Sequence, residues 1–287
     1  MPEAVEIVET PRDAFQGLPK FIPTAEKIPF IHALLAAGFR HIDLGALPAT
    51  DDAPQLADTL EVVKTLQAET HVERRVLVVS DRGLEQAFAV GGLDGIGFSL
   101  SLSPQFQKRH GMAAETQSWH LLEKMIGRVE QHDMSFILYL SMAFGAPFGE
   151  KWSEDELFAM VRSLCAMGVR HISLADTVAA ANPEQVRRVF RRARTEQPQV
   201  RFSAHFHARP DQWFDCVQAA LECGCRQFDA AAGGLGGCLF APDTLVANIP
   251  SEQLALKLEK SGYQTGINTE KAQVCAALAR QFQLKYG

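Results

Sequence analysis

The feature that most constrains this chain is a regular alternation of short apolar or β-branched runs with amphipathic stretches, from one end to the other. The runs predicted as strands are Val5–Val8, His41–Leu44, Arg75–Val79, Gly95–Leu100, Ser135–Ser141, His171–Leu174, Arg201–Phe206 and Arg226–Ala230. The patterns predicted as helices are Glu26–Ala37, Gln55–Leu66, Gly83–Val90, Glu115–Gln131, Ser153–Met167, Pro183–Arg194, Asp211–Glu222, Ser251–Leu258 and Thr269–Leu284. Strands that alternate with helices in this way are typical of α/β proteins with a parallel sheet.

Eight such units in 287 residues predict a (β/α)8 TIM barrel with an extra C-terminal helix. A doubly wound open sheet is the competing architecture, because alternation alone does not show whether the sheet closes. No linker rich in Pro, Gly or Ser and no shift in composition divides the chain. Residues 1–287 are therefore expected to form a single domain.

Composition excludes several other classes of protein. Lys and Arg total 28 against 34 Asp and Glu, and this acidic balance argues against a nucleic-acid binder. No apolar run reaches the ~18 residues of a membrane span, and the N-terminus lacks the apolar region of a signal peptide. The six cysteines include no Cys-x-x-Cys pair, so reduced thiols and a cytoplasmic location are expected.

In such barrels, active sites lie at the carboxyl ends of the strands and in the loops that follow them. The polar residues and glycines at those positions are therefore the candidates for function. They are Arg12, Asp13 and Gln16 after the first strand, Asp43 at the second, Asp176 and Thr177 at the sixth, His205 and His207 on the seventh, and Gly236, Gly237 and Cys238 after the eighth, with Asn248 beyond them.

The segment His205-Phe206-His207 carries the clearest metal signature. Residues i and i+2 of a strand point to the same face, so both imidazoles should converge at the mouth of the barrel. Two neutral imidazoles and a carboxylate, for which Asp13 is the candidate, suit a divalent metal such as Zn, Mn or Co. The alternative is a hydrogen-bonded histidine pair without a metal.

Cys238 follows a glycine-rich segment that can approach a ligand closely or move as a lid. The alternative is that Cys238 packs as a small buried hydrophobe. That packing role is expected of Cys165, Cys216, Cys223, Cys225 and Cys275. Arg12 has two interpretations as well, since it could pair with Asp13 at the rim or neutralise charge on an enolate or carboxylate oxygen.

These residues occur in an order that is found in a known family. The segments that carry the likeness are Pro11–Asp13 with Gln16, Ile22–Ile28, Phe144–Phe148, Ile172–Thr177, His205–His207 and Gly234–Cys238. The chain resembles the 3-hydroxy-3-methylglutaryl-CoA lyases, a family of the DRE-TIM metallolyase superfamily. The likeness extends from Val5 to the last predicted helix, and the ordered set is far more specific than any one motif.

The resemblance implies a divalent-metal-dependent carbon–carbon lyase on a TIM barrel, with Mg, Mn or Zn as the expected cation. The residues that match the metal ligands of the family are Asp13, His205, His207 and Asn248. The residues with implied catalytic roles are Asp13 as acceptor of the hydroxyl proton, Arg12 at the enolate, Cys238 as proton donor, Asp43 in place of the family's glutamate, and Asp176. The residues expected to contact the substrate are Gln16, Thr177, Gly236 and Gly237.

The chain also departs from the family pattern. Ala14 replaces a glycine, and Asp43 is shorter than the family's glutamate. Ala175–Ala179 replaces Gly-Asp-Thr-Ile-Gly, and Ala208–Pro210 replaces an Asp-Thr segment that ends in glycine. An ungapped alignment would put Ala247 at the position of the ligand asparagine. Asn248 is favoured because Ser251-Glu252 follows it as Thr-Glu follows the family's asparagine.

The expected reaction is the retro-aldol or retro-Claisen cleavage of a 3-hydroxy-3-methylglutaryl-CoA-like substrate to acetyl-CoA and a keto acid. One alternative is the same chemistry on a different hydroxy acid or acyl-CoA, including the condensing direction of the isopropylmalate synthases. Another is a non-catalytic barrel that retains ligand binding. The expected partner is a small-molecule acyl-CoA or hydroxy acid rather than nucleic acid or membrane, and a homodimer is the candidate assembly.

Overall fold

The structure is a computed structural model that describes residues 2–49, 53–67, 69, 71–109, 115–146, 149–208, 213–237 and 246–287. Its strands are β1 (Glu6–Glu9), β2 (His41–Leu47), β3 (Glu73–Val78), β4 (Gly95–Ser101), β5 (Ser135–Ser141), β6 (His171–Asp176), β7 (Arg201–Ala208), β8 (Gln227–Ala230) and β9 (Ala247–Asn248). Its first helices are α1 (Pro11–Gln16), α2 (Thr24–Ala36), α3 (Thr59–Thr65), α4 (Asp81–Val90), α5 (Pro104–Arg109) and α6 (Glu115–Val129). The remaining helices are α7 (Glu154–Ala166), α8 (Pro183–Glu196), α9 (Trp213–Glu222), α10 (Ser251–Lys260) and α11 (Thr269–Tyr286).

The first eight strands form one closed parallel sheet. Each strand pairs with the next from β1 to β8, and β8 pairs back with β1. The helices surround this sheet, and α11 follows the last unit as the additional C-terminal helix. The predicted TIM barrel is therefore confirmed, and the open doubly wound sheet is wrong for this chain.

The predicted boundaries differ from the structure mainly around the second unit. Strand β2 continues to Leu47, three residues beyond the predicted end at Leu44, so Asp43 lies well inside the strand. A Cβ on Gly45 would lie 2.2 Å from the Thr59 hydroxyl, so the glycine lets α3 approach a continuing strand closely. The predicted helix Gln55–Leu66 is divided into a 3-10 turn at Pro54–Leu56 and helix α3. The two-residue strand β9 and the short helix α5 were not predicted.

The apolar core lies between the outward face of the barrel and the helices, where side chains such as Val76, Ile96 and Ile172 are fully buried. The interior of the barrel is more polar. Near the amino ends of the strands lies a group that we call the basal network, formed by Glu6, His41, Glu73, Ser135, Arg201 and Gln227. In TIM barrels the amino ends of the strands serve stability, whereas active sites lie at the carboxyl ends, so the functional site is expected at the opposite end from the basal network.

Within the described residues, no helix has the length and apolar composition that crossing a bilayer requires.

Candidate active site

Arg12 and Asp13 lie on α1, the short helix that begins directly after β1. Pro11 occupies the first position of this helix, where its missing N–H costs no hydrogen bond. The turn is packed against the barrel, so that Arg12 is only 7% exposed and Asp13 only 8%. Both charged side chains are thereby held at the carboxyl end of the barrel with little contact with water.

His205 and His207 lie on β7 and face the same interior space, as the two-residue period predicts. Their Nε2 atoms are 3.2 Å apart. The Oδ2 atom of Asp13 lies 3.5 Å from Nε2 of His207 and 3.8 Å from Nε2 of His205. These three buried residues form a group whose geometry could hold a metal ion, and we call it the Asp–His–His cluster.

Hydrogen bonds on the far side of each imidazole decide which nitrogen faces the cluster. Nδ1 of His207 lies 3.0 Å from the carbonyl oxygen of Thr177, and because a carbonyl only accepts, this Nδ1 carries the proton. Nδ1 of His205 lies 2.8 Å from Oδ2 of Asp229 and donates to that carboxylate. In the neutral rings, both Nε2 lone pairs therefore point at each other and at Asp13.

Three features of the Asp–His–His cluster fit a divalent cation. Two lone pairs and a carboxylate converge, which is unfavourable unless a positive charge lies between them. Oδ2 of Asp13 is buried and makes no hydrogen bond to any described residue. Donor atoms that bind one ion at ~2.0–2.2 Å lie roughly 3.0–3.5 Å apart, and the cluster's three donor distances are 3.2, 3.5 and 3.8 Å.

Asn248 lies on β9, which pairs antiparallel with the end of β7. His207 is directly opposite Asn248 in this register, and Ala208 is opposite Ala247. Opposed residues share a face of the sheet, so Asn248 lies on the face of His207 and Ala247 on the other face. The buried Asn248 side chain donates from Nδ2 to the Leu235 carbonyl at 2.9 Å. The register thus supports Asn248 over Ala247 as a fourth ligand.

The guanidinium of Arg12 joins the carboxylates around the cluster. Its Nε donates to Oδ2 of Asp43 at 2.8 Å, and its Nη1 donates to Oδ1 of Asp13 at 2.8 Å and to Oε1 of Gln16 at 3.3 Å. Burial by itself would lower the pKa of Arg12, but the carboxylates of Asp43 and Asp13 outweigh burial and raise the pKa. The arginine therefore stays positively charged and fixed in orientation.

The two carboxyls bound to Arg12 differ in their protonation equilibria. Burial would raise the pKa of Asp13, but nearby positive charge, above all that of the Arg12 guanidinium, outweighs burial and holds the pKa well below its usual range. Burial raises the pKa of Asp43 above its usual value, and Arg12 offsets only part of that rise. Asp13 is thus the carboxyl that stays ionised and can bind a cation, whereas Asp43 mainly orients Arg12 through its hydrogen bond.

Asp176 and Thr177 lie where β6 ends, as predicted. The side chains of both residues accept hydrogen bonds from backbone N–H groups of neighbouring loops. The two oxygens of Asp176 accept hydrogen bonds from the N–H groups of Ala180 and Ala181, each at 2.9 Å. Oγ1 of Thr177 accepts from the N–H of Met142, while its carbonyl oxygen accepts from His207. The structure therefore gives both residues a role in shaping the mouth, and their direct contact with substrate stays a prediction.

Gly236 and Gly237 lie against the turn that carries Asp13. A Cβ on Gly236 would lie 2.5 Å from the carbonyl oxygen of Asp13, and its φ of 78° is a backbone conformation that favours glycine. Gly236 is thus needed for backbone to approach Asp13 this closely, and Gly237 lets the same segment approach the backbone of Val246. Cys238 lies outside the described residues, so its role stays a prediction from the sequence.

Sequence reasoning missed two residues that border the cluster. Asp229 accepts the hydrogen bond from His205, and the ring of Tyr139 packs edge-on against His205 with centroids 5.9 Å apart. Both belong to runs that were interpreted only as strands. The available signal was the two-residue period, since a polar residue inside an apolar strand of a barrel faces the interior.

Comparison with known proteins places the chain in a family. The HMGL-like family model matches residues 4–278. The chain belongs to the HMGL-like family. The hydroxymethylglutaryl-CoA lyase of Bacillus subtilis is 30% identical over 271 residues, which cover 94% of this chain and 90% of that relative. The (R)-citramalyl-CoA lyase of Chloroflexus aurantiacus is 31% identical over 277 residues, covering 93% and 87% of the two chains.

A solved structure shows the same architecture. The HMG-CoA lyase of Acinetobacter baumannii, in complex with coenzyme A and 3-methylmalate, superposes with a TM-score of 0.88 at 30% identity, covering 96% of this chain and 92% of that one. These two relatives and this structure are lyases of 30–31% identity, and the expectation of a lyase-family barrel is confirmed at that level.

Proposed function

We propose that this HMGL-like protein is a divalent-metal-dependent carbon–carbon lyase that cleaves a 3-hydroxy-3-methylglutaryl-CoA-like thioester to acetyl-CoA and a keto acid. The observation that carries the proposal is the convergence of Asp13, His205 and His207 at the carboxyl end of the barrel, with their bare donor atoms facing one another. The relatives act on CoA thioesters by name, and a similar lyase structure contains coenzyme A.

The residues that would hold the cation are Asp13, His205, His207 and Asn248. When bound, a divalent cation supplies Lewis-acid polarisation of the hydroxyl oxygen of the substrate. Asp13 is ionised, because the Arg12 guanidinium lowers its pKa, and its Oδ2 has no competing hydrogen bond among the described residues. We therefore assign to Asp13 the removal of the hydroxyl proton as the carbonyl forms.

Cleavage moves the electrons of the broken carbon–carbon bond onto the thioester fragment as an enolate. Nε and Nη1 of Arg12 are occupied by Asp43, Asp13 and Gln16, while Nη2 takes part in none of these bonds. This fixed cation is suited to neutralise the enolate oxygen, because its orientation is set before the charge develops. The proton that completes acetyl-CoA is assigned to the thiol of Cys238, on the resemblance in sequence alone.

The identity of the acyl group is open to one specific alternative. A relative that is a citramalyl-CoA lyase is as similar to this chain as one that is a hydroxymethylglutaryl-CoA lyase. The pocket also departs from the family pattern at Ala14 and Asp43. The same mechanism on a different hydroxy acid or acyl-CoA whose hydroxyl is β to the carbonyl, such as another 3-hydroxyacyl thioester, is therefore the second candidate.

The test is a cleavage assay of the purified protein with Mg²⁺, Mn²⁺ or Zn²⁺ against a panel of hydroxyacyl-CoA thioesters that includes hydroxymethylglutaryl-CoA and citramalyl-CoA. Release of acetyl-CoA from one member at an ordinary kcat above ~1 per second supports the proposal and selects the substrate. If no thioester is cleaved with any cation, and none of the cations raises Tm, the non-catalytic barrel is the better description.

Three further expectations belong to this proposal. Residues 1–287 form a single domain, the protein acts in the cytoplasm, and it assembles as a homodimer. Limited proteolysis tests the first, since a single domain gives no stable fragment that folds independently. Sedimentation equilibrium tests the last.

A further inference from the structure

We propose that Asp229 is a positioning residue that holds His205 with its Nε2 lone pair aimed at the cation, and thereby sets the affinity of the Asp–His–His cluster for metal. This inference rests on the proposed function, because it assumes that His205 is a ligand. It goes beyond that function by assigning a role to a residue on another strand that does not itself belong to the cluster.

The first support is the geometry of the Asp229–His205 pair. Asp229 is on β8, and its register with β1 and the neighbouring strand β7 places it in the barrel interior beside His205. Its Oδ2 accepts from Nδ1 of His205 at 2.8 Å, and its side chain is only 1% exposed. Water therefore does not compete for this bond, and the imidazole keeps the Nδ1–H form that leaves Nε2 as the ligand atom.

The second support is the asymmetry between the two histidines. Nδ1 of His207 donates to a neutral acceptor, the Thr177 carbonyl, whereas Nδ1 of His205 donates to a carboxylate. Hydrogen bonds to an ionised acceptor are roughly twice as strong as those between neutral groups. His205 is thus the more firmly oriented ligand of the pair, and the difference comes from Asp229 alone.

The third support is the absence of a competing partner for Asp229. Its second oxygen, Oδ1, is buried and makes no hydrogen bond within the part of the chain that the structure describes. The ring of Tyr139 packs edge-on against the His205 ring, and Gly97 leaves room for it, since a Cβ there would lie 2.8 Å from Cε2 of Tyr139. One ring contact and one charged hydrogen bond therefore fix the His205 plane.

The experiment compares Mn²⁺ dissociation constants by isothermal titration calorimetry for wild type, Asp229→Asn and Glu73→Gln. Asparagine keeps the shape of Asp229 but removes the charge and can turn an N–H toward Nδ1, which moves the ring proton to Nε2 and blocks the ligand atom. Loss of a partner behind a ligand typically weakens metal binding ~10–100-fold, and we expect that change for Asp229→Asn.

Glu73→Gln is the matched control. Glu73 accepts a hydrogen bond from Nδ1 of His41 at the same 2.8 Å, but at the opposite end of the barrel. If Asp229 only stabilised the fold, both variants would lower Tm and leave the Mn²⁺ dissociation constant within about twofold of wild type. For Glu73→Gln we expect a lower Tm and an Mn²⁺ dissociation constant within about twofold of wild type, whereas Asp229→Asn should also weaken Mn²⁺ binding. The visible spectrum of Co²⁺-loaded protein should change for Asp229→Asn and stay unchanged for the control.

A measurement on the wild type keeps the inference testable if Asp229→Asn does not fold. Nitrogen-15 NMR of histidine-labelled wild-type protein with Zn²⁺ reports which ring nitrogen carries the proton. Protonated Nδ1 on His205 is the expected result, and binding of the metal through Nδ1 would overturn the inference. Unchanged Mn²⁺ affinity in a folded Asp229→Asn variant would overturn it too. A wild type that binds no divalent cation would instead contradict the proposed function.

Discussion

At the amino ends of the barrel strands, the polar groups around Glu73 complement one another. His41 donates from Nδ1 to Glu73 at 2.8 Å, and the other oxygen of Glu73 accepts from Arg75 at 2.8 Å and from Ser135 at 2.9 Å. Burial would raise the pKa of Glu73, but the bonds from His41 and Arg75 outweigh it and lower the pKa. Charges of opposite sign alternate in this region, since His41 and Arg75 both donate to Glu73 and Arg201 donates to Glu6.

At the carboxyl ends, the same residue types are arranged differently. Asp13, His205 and His207 bring three electron-pair donors together at 3.2–3.8 Å, and Oδ2 of Asp13 has no hydrogen-bond partner among the described residues. The positive charge of Arg12 is already engaged by Asp43 and by the other oxygen of Asp13. The donor atoms at this end are therefore arranged to accept a cation, whereas the basal network already pairs its carboxylates with cations and N–H donors.

This difference in hydrogen bonding suggests that the groups at the amino ends stabilise the fold and that those at the carboxyl ends serve chemistry. Buried polar groups that satisfy each other contribute to stability, whereas functional sites retain unsatisfied groups at a cost in stability. Composition alone would not distinguish the two ends, since both combine imidazoles with carboxylates. The direction of each donor and acceptor does distinguish them, and substitutions can test this.

The largest effect is expected for Asp13→Asn. The variant should lose at least ~1000-fold in turnover, because it removes both the anionic ligand and the proton acceptor. Without divalent cations its Tm should exceed that of Asp13→Ala, since the asparagine Nδ2 can donate to Nε2 of His207 and make the cluster self-complementary. Thermal unfolding in a chelating buffer and a cleavage assay measure the two effects. Turnover near that of wild type would remove Asp13 from the mechanism.

A smaller effect, on stability alone, is expected for Glu73→Ala at the other end. The change leaves His41 and Arg75 without their common acceptor, and a loss of about 2 kcal/mol in the free energy of unfolding should follow. Urea denaturation measures this loss. The Mn²⁺ affinity should stay as in wild type, and a variant that loses metal binding while it remains folded would show that the two ends are not independent.

Glu9 offers a pH-dependent test of a third buried carboxyl. Burial raises its pKa to about 8, and the polar surroundings, which include the Ser251 hydroxyl and the Ala232 N–H that donates to Oε1, oppose part of that rise. Between about pH 4.5 and 8, folded Glu9 therefore holds a proton that the unfolded chain has released, so stability falls as pH rises, by up to ~1.4 kcal/mol per pH unit.

Glu9→Gln should flatten this dependence, because glutamine does not titrate. Urea denaturation of both proteins at pH 5, 6, 7 and 8 measures the slopes. The gap between variant and wild type should grow in favour of the variant toward pH 8. Parallel curves would contradict the assignment of a neutral Glu9.

The smallest effect is expected for Gln16→Ala. The bond from Arg12 to Gln16 is the longest of the three that hold the guanidinium, at 3.3 Å, and Asp43 and Asp13 remain in place. Loss of such a bond costs about 1 kcal/mol, so kcat/KM should fall less than ~10-fold. A fall of 100-fold or more would show that Gln16 contacts the substrate directly.

Much of this molecule was predictable because it follows from periodicity. The strand–helix repetition predicted the barrel, and the two-residue period of a strand placed His205 and His207 on one face. The position of Asp13 after the first strand put it at the same end of the barrel. In each case a local pattern was sufficient, since the carboxyl ends of all parallel strands meet in one place.

The rest depended on registers between strands. Asp229 partners His205 only because β7 and β8 pair at Ala204 and Phe228, and nothing in the sequence near Asp229 shows that pairing. The bond from Arg12 to Asp43 likewise depends on the register between β1 and β2, which no pattern near Asp43 shows. Side-chain partners across a sheet are set by tertiary packing, which single-sequence patterns do not encode.

Titration of chelator-treated protein with Mn²⁺ in a calorimeter measures whether the Asp–His–His cluster binds a divalent cation. We expect one ion per chain for the wild type, and no measurable binding when His205 and His207 are both replaced by alanine in a variant that still folds. Absence of binding by the wild type, or equal binding by the folded double variant, would contradict this expectation.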